Sequence, residues 1–129
     1  MQTMNIQWST EQYFAGPTEA DGKTMVDDFA RWQVIAGKRV LNADIGNWTA
    51  TKLNPNRKTG LPSQAARGQD YADSLAALMT QPWFIGWHWC AYVENTGRGW
   101  GIKEPWDEPY QDFAGPISAF NHAIYDRVK

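Results

Sequence analysis

Cysteine is nearly absent from this chain, together with the features that mark several other classes of protein. The single cysteine, Cys90, cannot form a disulfide within the chain. No apolar run approaches the roughly 18 residues of a membrane-spanning helix, and residues 1–14 lack the charged and apolar segments of a signal peptide. The net charge of −2 provides no basic face. We therefore expect neither nucleic acid nor a membrane as a partner, and the localisation stays open.

Tryptophan, in contrast, is abundant, with 8 residues in a chain of 129. Several of these side chains fall outside any helical stripe, in predicted loops or at strand ends. Aromatic side chains placed there more often contact a ligand or a partner than fill a core. The length and the hydrophobic content of 43% suit one modest domain with a core of its own.

The stretch 82–95, PWFIGWHWCAYVEN, predicts the central strand of the fold. Pro82 ends the preceding helix, and the apolar run 83–89 is short and has no polar alternation. Such a run is typical of a strand that is buried on both faces of a parallel sheet. Polar residues such as His88 and Glu94 follow towards its carboxyl end, where α/β proteins bind their ligands.

Periodicity and turn residues predict the order βαβαβα. The strands are expected over 4–8, 39–45 and 83–89, and the helices over 24–36, over 63–80 and from 116 onward. Thr24 and Ser63 are suited to cap the first two helices, Gly37 is predicted to end the first, and Pro116 is predicted to open the third. Each loop from strand to helix is long, and each link from helix to strand is short. Long loops on one face predict a site at the carboxyl ends of the strands.

Three βα units are fewer than a complete fold of this class contains. A doubly wound domain normally has five or six strands, and a (β/α)8 barrel has eight. Three buried strands would also leave two apolar sheet edges without neighbours. We therefore interpret residues 1–129 as a single partial domain, a fragment of a longer chain, that needs the missing half of its barrel or associates with itself.

Three segments resemble the agarase-like (β/α)8-barrel glycoside hydrolases of the retaining clan. Residues 36–48, AGKRVLNADIGNW, are similar to the seventh strand of that family, which usually ends in Glu-Phe-Gly. Residues 82–95 are similar to the eighth strand, which carries a Trp that floors the sugar site, and residues 107–126 to the closing helix. The resemblance implies three consecutive βα units, strands 6–8 of a TIM barrel, from the C-terminal third of such an enzyme.

The resemblance also implies a function for the full-length parent. That parent would hydrolyse β-glycosidic bonds of a polysaccharide, of agar type, with two carboxylates and no cofactor. It could be secreted or periplasmic. The acid/base Glu of the clan lies on the fourth strand, which this chain lacks, so we expect the isolated chain to be inactive. Two alternatives stay open: a non-catalytic carbohydrate-binding relative that has lost the catalytic Glu, and an inactive α/β fragment.

Asp44 and one of two tryptophans carry the central roles in this interpretation. Asp44 takes the position of the nucleophile, where the family usually has Glu, although a carboxylate there could also cap the loop that follows. Trp87 or Trp89 takes the position of the aromatic sugar platform. Since these two residues are two apart, they share one side of the strand. The alternative for both is a place in the core.

Four further residues are predicted to bind substrate. His88 could hydrogen-bond a sugar hydroxyl or be a satisfied core histidine. Glu94 could be a second carboxylate, a support for a sugar hydroxyl or a loop cap, and Asn95 stands beside it. Trp48 is suited to an outer sugar subsite, or to the packing of a long loop on itself. The acidic residues of the last loop are expected to be solvated, and no metal site is predicted. An oligosaccharide or polysaccharide is the expected partner.

Overall fold

The computed structural model describes residues 2–4, 25–57 and 60–127, apart from the side chains of residues 2–4, 44 and 127. Strands and helices alternate in the order β1 (Gln2–Met4), α1 (Met25–Ala36), β2 (Val40–Ile45), α2 (Gln64–Met79), β3 (Phe84–Trp89) and α3 (Gln111–Arg127). The predicted strand over 4–8 lies outside the described residues except for Met4, and so do the predicted cap Thr24 and the loop before it.

The described strands form one parallel sheet in the order β1-β2-β3. Gln2 pairs with Val40 across the first pair, and across the second pair Val40 lies opposite Phe84 and Ile45 opposite Trp89. The register between β2 and β3 shifts twice on the way. The chain is therefore a mixed α/β structure with a parallel sheet, as the apolar run 83–89 predicted. The expected burial of β3 on both faces was wrong, because Ile85 is 37% exposed and His88 is exposed on a face that no described element covers.

Helix α1 is fixed by its two ends and by one buried ring. Asp27 and Asp28 lie in its first turn, where carboxylates favour the positive end of the helix dipole. Phe29 is completely buried. Gly37 follows the last residue with φ 60°, and its N–H donates to the Gln33 carbonyl at 2.8 Å. Gly37 thus ends the helix as predicted, because glycine adopts this conformation without strain.

Helix α2 begins at the predicted cap. The Ser63 hydroxyl accepts a hydrogen bond from the Ala66 amide at 3.1 Å, which satisfies one of the free N–H groups of the first turn. Tyr71, Leu75 and Leu78 turn into the core, with exposures of 2%, 0% and 0%. The spacing of these residues along one face is that of an α-helix packed on a sheet.

Helix α3 begins five residues before the position predicted from Pro116. The amides of Phe113 and Ala114 both donate to the Tyr110 carbonyl, and the buried Phe113 ring anchors this first turn. Pro116 is therefore the sixth residue of the helix, and it lacks the N–H that would bond to the Asp112 carbonyl. The prediction was wrong because a proline inside a helix can be tolerated when a neighbouring element fits around its ring.

One core joins the three helices to β2 and β3. Its buried members are Met25, Phe29, Val40, Ile45, Tyr71, Leu75, Leu78, Phe84, Phe113 and Phe120. The loops over 46–63 and 90–110 extend from the carboxyl ends of β2 and β3, so both long loops meet at one edge of the sheet. Within the described part of the chain, no helix is both long and apolar enough to cross a bilayer.

Candidate functional site

The carboxyl ends of β2 and β3 lie side by side. Ile45 is paired with Trp89, and the Cys90 amide donates to the Ile45 carbonyl at 2.8 Å. Asp44 is the fifth residue of β2, directly before Ile45. Its side chain is outside what the structure describes, so the predicted role as nucleophile stays a prediction. The backbone nevertheless brings the two predicted elements of the site to the same edge of the sheet.

Trp87 is tied into the helix layer. Its indole N–H donates to the Tyr71 hydroxyl at 2.9 Å, and its ring stacks on Phe84 with centroids 6.5 Å apart and contacts Phe120 at 6.0 Å. These are the contacts of a core side chain. The role of Trp87 as a sugar platform stays a prediction.

Trp89 faces the same layer, nearer to the loops. Its ring lies 5.2 Å from Phe113 and 5.4 Å from Tyr71, measured between centroids. The indole N–H donates to the Trp100 carbonyl at 3.3 Å. The ring is only partly buried, so Trp89 joins the core to the loop after β3.

His88 and Asn95 are the exposed members of the predicted set. His88 lies between Trp87 and Trp89 in β3 and therefore points to the opposite face of the strand. The Asn95 amide N–H and carbonyl are held by Glu94 and Asn54, at 3.0 and 2.9 Å. Both side chains are accessible to a ligand, and contact with a sugar stays a prediction.

Glu94 is a buried carboxylate that organises the loop after β3. It is 2% exposed, and its Oε1 accepts from Asn54 Nδ2 at 2.9 Å, from the Asn95 amide at 3.0 Å and from the Gly99 amide at 2.8 Å. Its Oε2 accepts from the Gly101 amide at 3.0 Å. Of the alternatives for Glu94, these contacts are those of a loop cap, and they cross-link the two long loops through Asn54.

Trp48 lies within the first long loop and is 6% exposed. Its ring stacks on Trp100 of the other loop, with centroids 6.0 Å apart and an interplanar angle of 25°, and the Arg57 guanidinium lies 5.1 Å from its centroid. The observed contacts are those of two loops packed on each other. An outer sugar subsite at Trp48 stays a prediction.

Arg67 is a central residue of the site that the sequence analysis missed. It is completely buried, and its guanidinium lies 3.8 Å from the centroid of the Phe113 ring. The guanidinium donates to four oxygens: Asn47 Oδ1 at 3.0 Å, Gln64 Oε1 at 2.7 Å, Trp100 O at 2.7 Å and Gly101 O at 3.1 Å. Burial lowers the pKa of Arg67 to about 9, against the opposing effect of Glu94. One side chain thus holds both loops to α2.

Asn47 and Asp70 extend this network. The side-chain Nδ2 of Asn47 donates to the Arg67 backbone carbonyl at 2.9 Å and to Asp70 Oδ2 at 3.0 Å. Burial raises the pKa of Asp70 to about 7, although the hydrogen bond from Asn47 works in the opposite direction. One feature of the sequence could have identified Arg67 as a buried residue. It lies four residues before Tyr71, and this spacing places the arginine on the apolar stripe of α2.

The acidic loop before α3 differs from its prediction in one residue. Asp107 pairs with Lys103, and Glu108 pairs with Lys52 at 2.9 Å, so these exposed carboxylates are solvated as expected. Glu104 is instead 1% exposed. Among residues 2–4, 25–57 and 60–127, no group of three or more His, Cys, Asp or Glu side chains is arranged to hold a metal ion.

Comparison with known proteins finds an agarase among the relatives of this chain. No protein-family model matches the chain. Over 72 residues it is 29% identical to Beta-agarase B of Vibrio sp. (strain JT0107), a match that covers 49% of this chain and 8% of that protein. The chain is similar to a segment of agarase-like glycoside hydrolases. This finding confirms the resemblance that residues 36–48 and 82–95 predicted.

The agarase-like segment is also recognised by its fold. It matches the structure of an exo-beta-agarase with a TM-score of 0.62 and 24% identity, over 79% of this chain and 15% of that one. It matches the structure of BpGH50 with a TM-score of 0.68 and 18% identity, over 98% of this chain and 26% of that one. At these identities the likeness is one of fold, and the chain spans about a quarter or less of each relative.

Proposed function

We propose that this chain forms strands six to eight, with their helices, of a retaining (β/α)8-barrel glycoside hydrolase. The parallel order of the strands, the long loops after β2 and β3 and the likeness to the exo-beta-agarase support this assignment. The full-length parent hydrolyses β-glycosidic bonds of an agar-type polysaccharide. The observation that carries the proposal is the pairing of Ile45 with Trp89, which brings the residue after Asp44 level with the end of β3.

In this reaction Asp44 is the nucleophile. Its carboxylate attacks the anomeric carbon, and a carboxylic acid from outside this chain protonates the leaving oxygen. The resulting glycosyl-enzyme is hydrolysed by water, which the second carboxyl group then activates as a base. A position on a strand suits this task, because an element paired on both sides holds a reacting group more precisely than a loop does.

The predicted substrate-binding residues divide by accessibility. His88 and Asn95 are exposed, so their polar groups are available to sugar hydroxyls. Trp87 and Trp89 are both partly buried against the helix layer. Trp89 is the last residue of β3, and this position makes it the better placed of the two for stacking on a sugar face. Glu94 and Trp48 are buried. They influence substrate binding indirectly, because they hold the two long loops together through Asn54 and Trp100.

A second candidate is a carbohydrate-binding relative without catalytic activity. It is favoured by one observation in the sequence, the Asp at position 44, whose side chain is one methylene shorter than the Glu usual in the resembled family. Retaining catalysis needs carboxyl groups about 5–5.5 Å apart, and a carboxylate set back by one methylene lengthens that separation in the direction that disfavours attack on the anomeric carbon.

The test compares agarose hydrolysis by the full-length parent and three variants. We expect Asp44→Asn to lose activity by several orders of magnitude while its melting temperature and its affinity for agarose oligosaccharides are kept. Asp112→Asn, an exposed carboxylate in the first turn of α3, is the matched control and should retain full activity. If the unaltered parent binds but does not hydrolyse, and Asp44→Glu restores hydrolysis, the non-catalytic relative is the correct function. Full activity of Asp44→Asn would exclude Asp44 as the nucleophile.

A further inference from the structure

Trp106 differs from the other tryptophans of the two long loops. It lies between β3 and α3 and is 54% exposed, whereas Trp48 and Trp100 are 6% and 4% exposed. Those two rings stack on each other, but Trp106 makes no ring contact and no cation–π contact among the described residues. A single exposed apolar side chain is common on protein surfaces, so the contacts around the ring decide what it can do.

The Trp106 ring is held in one orientation. The Asp107 amide donates to the Glu104 carbonyl at 3.1 Å and the Glu104 amide to the Glu108 carbonyl at 2.8 Å, so the turn that carries Trp106 is closed by backbone hydrogen bonds. The indole Nε1 donates to Glu108 Oε2 at 3.1 Å, which fixes the ring relative to this turn. A side chain that is already ordered loses little conformational entropy when a ligand covers it.

An exposed ion pair stands at the edge of this ring. The Glu108 oxygen that accepts from the indole also pairs with Lys52 Nζ at 2.9 Å. Because the indole N–H lies in the plane of the ring, Glu108 lies beyond the ring edge and does not cover a face. The side chains of Lys52 and Glu108 are 66% and 57% exposed, so further donors of the ammonium group and further lone pairs of the carboxylate are accessible to a ligand.

The combination of an ordered ring with a donor and an acceptor at its edge matches the chemistry of a sugar. A sugar presents an apolar C–H face that stacks on an aromatic ring, and its hydroxyl groups project from the rim of that face, where they can donate to Glu108 and accept from Lys52. A protein partner would need a contiguous apolar patch, whereas Trp106 is followed by Asp107 and Glu108. These carboxylates also disfavour a nucleic acid, because its phosphates require basic residues.

We propose that Trp106 is the platform of an outer sugar subsite, where one unit of a polysaccharide stacks on the exposed ring and hydrogen-bonds to Glu108 and Lys52. The inference rests on the function proposed above and deepens it, because it adds a binding site for the same polysaccharide at residues outside the predicted substrate-binding set. Lys52 belongs to the loop after β2, and Trp106 and Glu108 belong to the loop after β3. The subsite therefore lies on the loops that extend from the same edge of the sheet as the proposed catalytic centre.

The experiment measures the binding of two agarose oligosaccharides, a disaccharide and an octasaccharide, by calorimetry in the full-length parent. Their glycosidic oxygens are replaced by sulfur, so they resist hydrolysis and the result does not depend on the role of Asp44. Trp106→Ala removes the platform, and we expect it to weaken octasaccharide binding about tenfold, by analogy with the stacking of bases on aromatic side chains. The disaccharide occupies the proposed catalytic centre alone, so its affinity should not change.

Two further variants and one control accompany Trp106→Ala. Trp106→Phe keeps an aromatic face and should bind the octasaccharide within about threefold of the parent. Glu108→Gln removes the charged acceptor and should weaken octasaccharide binding about twofold to tenfold. The control is Tyr125→Ala, which removes a ring that is 82% exposed near the carboxyl end of α3, about 20 Å along the helix from its first residue. It should bind both oligosaccharides as the parent does.

The outcomes separate this proposal from the catalytic one. A loss in Trp106→Ala that is confined to the octasaccharide supports the subsite. Unchanged octasaccharide affinity in this variant would overturn the subsite and leave the proposed role of Asp44 untouched. An equal loss for both oligosaccharides, or a variant that does not fold or melts far below the parent, would overturn it as well, because the ring would then act through the structure of the parent. A parent that binds neither oligosaccharide would contradict the proposed function itself, and the subsite with it.

Discussion

Arg67 Nη2 donates to the Trp100 carbonyl at 2.7 Å, from the helix before β3 to the loop after it. The bond is one of four that this buried guanidinium makes to oxygens of three different segments. A planar group with five donors can serve several acceptors at fixed angles, whereas an ammonium group cannot. The arrangement of the two long loops therefore depends on a side chain that no sugar needs to touch.

Replacing Arg67 by Lys should destabilise the fold. The shorter donor cannot reach Asn47, Trp100 and Gly101 together, so buried oxygens lose their partners, at a cost of about 3 kcal/mol in the free energy of unfolding. Urea denaturation followed by tryptophan fluorescence measures this. Arg31→Lys on α1, where the side chain is 57% exposed and pairs with Asp28, is the control and should change stability by less than about 0.5 kcal/mol. Equal stability of the two variants would contradict the role of Arg67.

Asp70 should make stability depend on pH in the range where most proteins are insensitive. Its pKa is raised from the usual 3.8 to about 7, so the folded state binds a proton more readily than the unfolded chain. The free energy that the protonated Asp70 carboxyl contributes to folding is fully present below about pH 4, and it is lost as the pH rises through about 7. Asp70→Asn should be more stable than the parent sequence at pH 8, by up to about 4 kcal/mol, and should differ little at pH 4.

The control for Asp70 is Asp73→Asn, an exposed residue of the same helix that accepts a hydrogen bond from Gln69. Asp73 adds only the last of the effects that raise the pKa of Asp70, so the unfolding curves of Asp73→Asn at pH 4 and pH 8 should differ from those of the parent sequence far less than those of Asp70→Asn do. If Asp70→Asn and the parent sequence show the same pH dependence, the Asp70 carboxyl is not held protonated by burial.

Gly68 should be required for the contact between α2 and α3. A Cβ at this position would lie 2.8 Å from Pro116 Cγ and 2.9 Å from Pro116 Cβ, and 3.2 Å from the Asp112 carbonyl oxygen. Gly68→Ala should therefore lower the melting temperature, with a cost of about 1–3 kcal/mol, although Ala normally favours a helix over Gly. Gly115→Ala in α3 is the matched control, since nothing in the described part of the chain lies within 4 Å of its Cβ, and it should stabilise the protein.

The helix ends show which parts of the fold could be predicted from the sequence. Ser63 and Gly37 act through local hydrogen bonds, so their roles as caps were predictable from neighbouring residues alone. Pro116 was misjudged because its place inside α3 depends on Gly68, 48 positions earlier in the sequence. No local signal connects these two residues.

The candidate site was predictable to a similar extent. The edge of the sheet at which it lies followed from the apolar run 83–89 and the position of Asp44. The roles within it did not, because the partners of Glu94 and Arg67 come from loops that only the folded chain brings together. A carboxylate that caps a loop and one that binds a sugar look alike in a sequence.

We expect Trp87 to act only as a core residue and Trp89 to contact the substrate as well. Trp87→Ala removes a ring that packs on Phe84 and Phe120 and should cost about 3–5 kcal/mol in the free energy of unfolding. Trp89→Ala in the full-length parent should in addition weaken oligosaccharide affinity, by about 1–3 kcal/mol by analogy with the stacking of bases on aromatic side chains. Melting curves and calorimetry on both variants measure the two effects. Loss of stability in both variants without a selective loss of affinity would exclude the platform role.

The most direct test of the central claim is to trap the covalent intermediate. The full-length parent is incubated with a 2-fluoro glycoside that slows hydrolysis of the glycosyl-enzyme, then digested and mapped by mass spectrometry. A retaining enzyme with Asp44 as nucleophile gives one labelled peptide, with the added sugar on Asp44, and Asp44→Asn gives none. A label on another carboxylate would contradict the proposed role of Asp44, and hydrolysis of agarose with inversion at the anomeric carbon would contradict the retaining mechanism.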